Sequence, residues 1–451
     1  MAKITLAQAA AWCGGTIDPK YAEVTFLGAS NDSRNIQKDQ LFVALQGVRD
    51  GHDFVPMALE KGAAAVLCTH CDGDYPAIVV PDTRIALGQI ARGERERIGM
   101  KVVGVTGSVG KSTTKEMIAA VLASTYRVAK TPENHNNDIG MPMAILSIPE
   151  DTEIAVLEMG MNHFREIAYL TNIAQPNLAV IVNIGTMHIE HLGSQEGILQ
   201  AKLEILEGLQ PGGKALFNGD DGLLWSVHNR VDADYFGVSN EQASVRGANV
   251  QKEQTGLSFD VRTDKEQFHI ALAMEGTHYV LDALAAVSVG LELGIPGERI
   301  ADALENFQNM AGRQEIYQEK TYTIIKDCYN AGPESMAAAL AVLGSKPGRR
   351  IAVLGDMLEL GKRAPAEHYR VGRMAAEQAD IVLAYGPNGS RVVSGAITGG
   401  MDHINARAFE DQENLVKTLK NLVKDGDTLL FKGSHGMHME KALELFLQDE
   451  T

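Results

Sequence analysis

The stretch "TGSVGKST", residues 106–113, sets Gly107, Ser108, Val109 and Gly110 ahead of Lys111, Ser112 and Thr113. Glycines at such spacing let backbone N–H groups close around phosphate at the positive end of a helix. A lysine there reaches terminal phosphates, and a neighbouring hydroxyl ligates Mg²⁺. The general phosphate-loop pattern wants a further glycine five positions before Gly110, but Val105 stands there and the extra glycine is Gly104. The bland alternative is a glycine-rich turn with an exposed lysine.

Other residues could act on the same anion. Glu158 ends the apolar run "IAVLE" and His188 follows "LAVIVNIG"; acids and imidazoles just past buried strands can reach a metal near a phosphate loop. His191 reads as a surface histidine. Lys202 is unexpected on pattern grounds. Its helical neighbours are Ile198, Leu199, Ile205 and Leu206, so the ammonium must snorkel, pair with an acid or be chemically neutralised. Snorkelling is the ordinary outcome. Ser33, Arg34, Asp50 and His52 surround the strand "LFVAL", a setting that suits a phosphate-bearing ligand or a solvated loop equally. Asn136 and Asn137 lie in "TPENHNNDIGMP", where ligand contacts and Asx-turns are both open. Asp327, Asn330, Lys432 and Ser434 fall at strand ends near the C-terminus.

These residues need strands to carry them. Apolar runs bounded by glycine alternate with helical periodicity, the pattern of an α/β protein with mostly parallel sheets. With 451 residues, of which 45% are hydrophobic and 22% charged, the chain predicts about three folded domains. The expected division is 1–98, 99–312 and 313–451. The central block has a parallel sheet of phosphate-loop type with an antiparallel addition over 214–274, and the last block is a Rossmann-like unit. Thr5 is a plausible cap for an N-terminal helix.

The net charge of -17 argues against a nucleic-acid partner. No run reaches membrane-spanning length, so membrane insertion is not expected. Four cysteines are too few for a disulfide framework and fit a reducing, cytoplasmic compartment. Cys68 and Cys71 form a CxxC, but neither Cys13 nor Cys328 completes a zinc site.

Taken in order, "TGSVGKST", "NHNNDIG", "EMGMNH", "NIGTMHIEHLGSQEGILQAKLEI", "AGRQE", "DCYNAGPESM", "GDMLELG" and "FKGSHGMHME" resemble the ATP-dependent Mur ligases of peptidoglycan synthesis. The shortened GxxGK[ST] loop is a trait of that family. "DCYNAGPESM" and "GDMLELG" resemble its branch that adds D-alanyl-D-alanine to UDP-N-acetylmuramoyl-tripeptide, through an acyl phosphate made with ATP.

The resemblance implies that residues 107–113 hold ATP phosphates, and that Ser112, Glu158 and His188 serve two Mg²⁺ ions. It also implies that Lys202 is carbamylated and helps hold the second ion. His278, Asp282, Arg313 and Asp327 would contact the nucleotide. Ser33, Arg34 and His52 would hold the UDP-sugar, with Asn136 and Asn137 near the substrate channel. Asn330, Lys432 and Ser434 would place the dipeptide. A monomer is expected. The sequence departs from the family at Asp282, where asparagine is common, and at Arg165, which replaces a usual glycine. Rival readings are a sibling ligase adding the third amino acid, a folylpolyglutamate synthetase, and a nucleotide-gated switch protein.

Overall fold

The computed structural model describes residues 3–253, 256–310 and 312–448. Ala311 of "AGRQE" and the terminal residues 1–2 and 449–451 lie outside them. Contacts divide the chain into two compact units: Met1–Val182 with Gln200–Arg246 and Ala283–Ala303, and Asn183–Leu199 with Gly247–Asp282 and Leu304–Thr451.

In the first unit, helix α1 (Leu6–Cys13) starts at Thr5, whose hydroxyl accepts the Gln8 N–H while the Gln8 side chain accepts the Thr5 N–H. That reciprocal bonding satisfies two of the donors that every helix start leaves over. Strands β1 (Ala29–Ser30), β2 (Leu41–Val43), β3 (Ala65–Cys68) and β4 (Ala77–Val79) form a parallel sheet in chain order. Helix α2 (Thr83–Ile98) follows, capped by Asp82 at one end and by left-handed Gly99 at the other.

The larger sheet holds β5 (Lys101–Thr106), β6 (Val128–Lys130), β7 (Ile154–Glu158), β8 (Leu178–Ile181), β9 (Lys214–Asn218) and β10 (Asp234–Gly237). Among these six the order is β10-β9-β8-β5-β7-β6, and all five pairings are parallel. The chain leaves β5 on one side for β7 and later returns on the other for β8, so β5 marks the switch point at which such sheets bind ligands. Its carboxyl end opens into helix α3 (Lys111–Ala123).

The antiparallel addition is narrower than 214–274. β9 and β10 pair in parallel, as do the first residues of β11 (Val245–Glu253), Val245 and Arg246. β9 and β10 are buried over their apolar residues, as parallel strands are. Among the described pairings of this span, antiparallel register is seen for β12 (Gly256–Arg262) with β13 (Gln267–Leu272), in the second unit. There Asp260 pairs with His269 on the polar face while Phe259 and Ile270 face inward.

The second unit's six-stranded sheet contains β14 (Glu315–Glu319), β15 (Tyr322–Asp327), β16 (Arg350–Gly355), β17 (Ile381–Tyr385), β18 (Ala406–Phe409) and β19 (Thr428–Lys432). Their order is β14-β15-β19-β16-β17-β18, antiparallel only at β14/β15. This is the expected Rossmann-like unit.

Arg165 has φ +72° at the start of the helix Glu166–Ala174. A left-handed backbone costs an L residue roughly 1–2 kcal/mol, a cost that glycine at this place would avoid. Here the Arg165 N–H donates to Glu204 at 2.8 Å and its guanidinium meets Glu207 at 2.6 Å.

Candidate active site

Register builds the first half of the site. Glu158 pairs with Val105, one residue before Thr106 opens the loop, so the carboxylate sits beside the start of α3. Val105 is fully buried inside β5. It is therefore strand rather than loop, and the loop is short because the strand runs one residue further than the general pattern allows.

At the loop, Gly110 adopts φ +84° ahead of α3, a conformation glycine reaches without a Cβ penalty. Lys111 Nζ lies over the loop, donating to the carbonyls of Gly107 at 2.9 Å and Ser108 at 3.3 Å. Ser108, Ser112 and Thr113 are buried.

The buried Glu158 carboxylate is held on both oxygens. Ser112 Oγ donates to Oε2 at 2.7 Å and Asn136 Nδ2 to Oε1 at 2.9 Å. Its backbone N–H donates to Thr131 Oγ1 at 3.0 Å. The Thr131 carbonyl in turn accepts from Lys115 Nζ at 2.7 Å, and that ammonium lies 4.0 Å from Glu158 Oε2. Lys115 is wholly buried, and the sequence reading missed it. The available signal was its position on α3, three and four residues before Ile118 and Ala119.

Lys202 does not snorkel. On the helix Gln195–Leu203 it is only 2% exposed, and burial pushes its ammonium well below the ordinary lysine range, with Lys111 adding same-sign repulsion. A long side chain escapes to water only where the surface is within reach. Of the outcomes the sequence allowed, neutralisation of the amine is the one that burial favours.

The other expected residues of this unit have structural partners. Asn137 Oδ1 accepts the N–H groups of Ile139 and Gly140, which is the Asx-turn alternative. Arg34 forms a two-pronged pair with Asp32 at 2.9 Å on each arm, holding that carboxyl down to about 2. Ser33 Oγ contacts Met57 Sδ. His52 Nε2 accepts the Thr69 N–H at 3.0 Å, so Nδ1 carries the proton toward Asp50 at 2.6 Å. Its ring stacks on His70.

In the second unit, His188 lies 2.6 Å through Nδ1 from a Glu359 oxygen, and that imidazole lowers the Glu359 pKa. The pair is close without the alignment of a hydrogen bond. Both residues are left-handed, each at φ +62°, and Glu359 lies in "GDMLELG", a motif in which the sequence reading gave it no role. His191 is exposed.

His278 is half-buried, and desolvation lowers it to about 4; Asp282 is buried. The Arg313 guanidinium lies 4.0 Å over the Tyr329 ring. Asp327 and Lys432 face each other in register on β15 and β19, with Nζ 2.6 Å from the carboxylate and 3.0 Å from the Asn330 carbonyl. Ser434 Oγ accepts the Leu358 N–H and donates to the Ala331 carbonyl. The structure thus gathers Lys111, Ser112, Asn136, Glu158 and Lys202 in the first unit, and His188, His278, Asp282, Arg313, Asp327, Asn330, Lys432 and Ser434 in the second.

Family profiles match most of the chain: "Mur ligase family, catalytic domain" over residues 23–95, "Mur ligase middle domain" over 105–290 and "Mur ligase, glutamate ligase domain" over 312–435. The chain is 38% identical to UDP-N-acetylmuramoyl-tripeptide–D-alanyl-D-alanine ligase of Bacillus subtilis, covering 98% of each sequence. It is 35% identical to the Escherichia coli enzyme of that name, covering 100% of each. Among solved structures, MurF from Acinetobacter baumannii superposes with a TM-score of 0.92 at 32% identity, covering 100% of both chains. MurF from Thermotoga maritima, in complex with ADP, gives 0.83 at 30% identity over 93% of this chain and 97% of that one.

Proposed function

The chain belongs to the Mur ligase family, and we propose from that premise that it joins D-alanyl-D-alanine to UDP-N-acetylmuramoyl-tripeptide at the expense of ATP. The observation that carries this reading is the Glu158 carboxylate bound to Ser112 beside Lys111, in a chain aligned end to end with ligases of that name.

A carboxylate is a poor electrophile, so it must be activated before an amine can attack it. In the proposed reaction, an oxygen of the tripeptide's terminal carboxylate attacks the γ-phosphorus of ATP and ADP leaves. The dipeptide's neutral amine then attacks the acyl carbon, phosphate leaves, and the nitrogen loses a proton. Lys111, held over the loop carbonyls, offsets the repulsion between carboxylate and triphosphate. The loop glycines turn backbone N–H groups to the phosphates.

Ser112 and Glu158 present hard oxygen donors within hydrogen-bond distance of each other, a set that fits Mg²⁺. We assign them to one ion, and we assign His188 and a carbamate on Lys202 each as a further metal ligand. Mg²⁺ held by these residues would supply positive charge against the transferring phosphoryl group. Burial makes the Lys202 amine easier to deprotonate, and a neutral amine adds CO₂ with loss of a proton. The anionic product resolves the misplaced cation.

Arg313, Asp327, His278 and Asp282 are assigned to the nucleotide. Ser33, Arg34, His52 and Asn137 are assigned to the UDP-peptide, and Asn330, Lys432 and Ser434 to the dipeptide. We place UDP-sugar binding in residues 1–98, ATP in 99–312 and the incoming dipeptide in 313–451. No described helix is long and apolar enough to cross a membrane, and a cytoplasmic monomer is part of the proposal.

The test is release of ADP and phosphate across a panel of UDP-peptides and amine acceptors. Turnover with UDP-tripeptide only when D-alanyl-D-alanine is present supports the reading. Equal ADP release without the dipeptide, or preference for a single amino acid or for glutamate on a folate, overturns it.

A further inference from the structure

We infer that Asn136 acts on the metal site rather than on the peptide substrate, as the positioning residue that fixes the Glu158 carboxylate. The inference rests on the reading of Glu158 as a metal ligand.

Glu158 can present an oxygen to a cation only if its carboxyl group is held about the last side-chain torsion, which is broad and two-fold in a free glutamate. Ser112 holds Oε2 at 2.7 Å, the oxygen that the ion would share with the Ser112 hydroxyl. Asn136 holds the other oxygen, Oε1, at 2.9 Å. Because a carboxylate can only accept, the amide must turn its NH₂ group toward Glu158. That bond survives ion binding at Oε2, so Asn136 is the contact able to keep the carboxyl plane constant in both states.

The chain holds Asn136 in turn. Its carbonyl accepts the Gly160 N–H at 2.8 Å, two residues beyond Glu158. A Cβ on Gly160 would stand 3.0 Å from Asn136 Cγ and 3.1 Å from its Oδ1. Gly160 therefore keeps clear the space that the Asn136 amide occupies. Outer partners of this kind govern metal affinity through the ligand they orient.

The experiment titrates Mn²⁺ into the full-length protein with ADP, without peptide substrate, and reads free Mn²⁺ by electron paramagnetic resonance. Asn136→Ala is expected to weaken Mn²⁺·ADP binding by roughly 10–100-fold. Gly160→Ala, which leaves the amide in place but crowds it, is expected to weaken it in the same direction. In a Glu158→Gln background, Asn136→Ala is expected to add less than about twofold, since both changes then act on one interaction. The KM for UDP-tripeptide should stay at its wild-type value, and thermal melting should show both variants folded, because Asn136 is partly exposed on a loop.

Wild-type Mn²⁺·ADP affinity in Asn136→Ala or in Gly160→Ala overturns the inference. So does a loss from Asn136→Ala undiminished in the Glu158→Gln background, or a raised KM for UDP-tripeptide with unaltered Mn²⁺·ADP binding. If Glu158→Gln itself binds Mn²⁺·ADP normally, the metal-ligand reading of Glu158 falls as well; if only Asn136→Ala is silent, that reading stands and this one does not.

Discussion

Lys202→Met removes a buried ammonium while keeping the length and apolar stem of the side chain, and the structure dictates how its effect must vary with pH. Burial lowers the folded-state pKa of Lys202 far below its unfolded value, with Lys111 contributing in the same direction. Between those two values the unfolded chain carries a proton at this site that the folded chain lacks, so stability rises with pH through the window. The full slope is about 1.4 kcal/mol per pH unit, and it ends as pH approaches the unfolded lysine value. Below the folded pKa both states are protonated and the whole penalty is present. The methionine variant has no such term. If the compact unit that contains Lys202 melts as one body, its size implies about 2–4 °C per kcal/mol, and the wild-type Tm should climb on the variant's by about 3–6 °C per pH unit. The assay is differential scanning calorimetry of both proteins from pH 7 to 9.5 in CO₂-free buffer, which suppresses carbamate formation. Parallel Tm curves would show that Lys202 is not held neutral by burial and would refute the reasoning. Adding bicarbonate should stabilise the wild type alone.

Lys111→Met should lower kcat for ADP release by about 10²–10³-fold, measured at saturating ATP, with melting unchanged. Lys432→Met strands Asp327 opposite a methionine, and breaking a buried pair costs about 3–5 kcal/mol; urea unfolding should show that loss, and the double variant Asp327→Leu/Lys432→Met should recover much of it. Arg165→Gly relieves roughly 1–2 kcal/mol of left-handed strain, but gives up a solvent-screened ion pair and frees the unfolded chain by about 0.4–1 kcal/mol. The Tm should therefore hardly move, and a fall of several degrees would show that the Glu207 contact dominates.

Much of the site was legible because parallel strands advertise their ends. The runs before Glu158 and Thr106 are buried and terminate abruptly, so their polar residues stood out, and strand register then set one beside the other. Lys202 was legible as an anomaly, though its depth was not: helical spacing places a residue on a face but does not measure distance to water. Asn136 resisted reading for a different reason. "NHNND" offers three asparagines in one loop, and only folding decides that Asn137 faces backbone N–H groups while Asn136 faces a carboxylate. The span 214–274 was misread in part because short pieces between turn residues look alike whichever way they run. β9 and β10 are buried on both faces as parallel strands are, whereas alternating burial begins only with β11 and the described antiparallel register lies at β12 and β13.

The two compact units are interleaved along the chain, and this sets a timetable for synthesis. The first unit draws on Ala283–Ala303 and so cannot complete its contacts when Val182 leaves the ribosome. It must wait for about 120 further residues, some 6–24 s at roughly 5–20 residues per second. During that interval Asn183–Leu199 and Gly247–Asp282 emerge long before Leu304–Thr451, the segment that completes their unit. A nascent chain of this kind displays unfinished apolar surface for much of its translation, the condition under which incomplete folds aggregate.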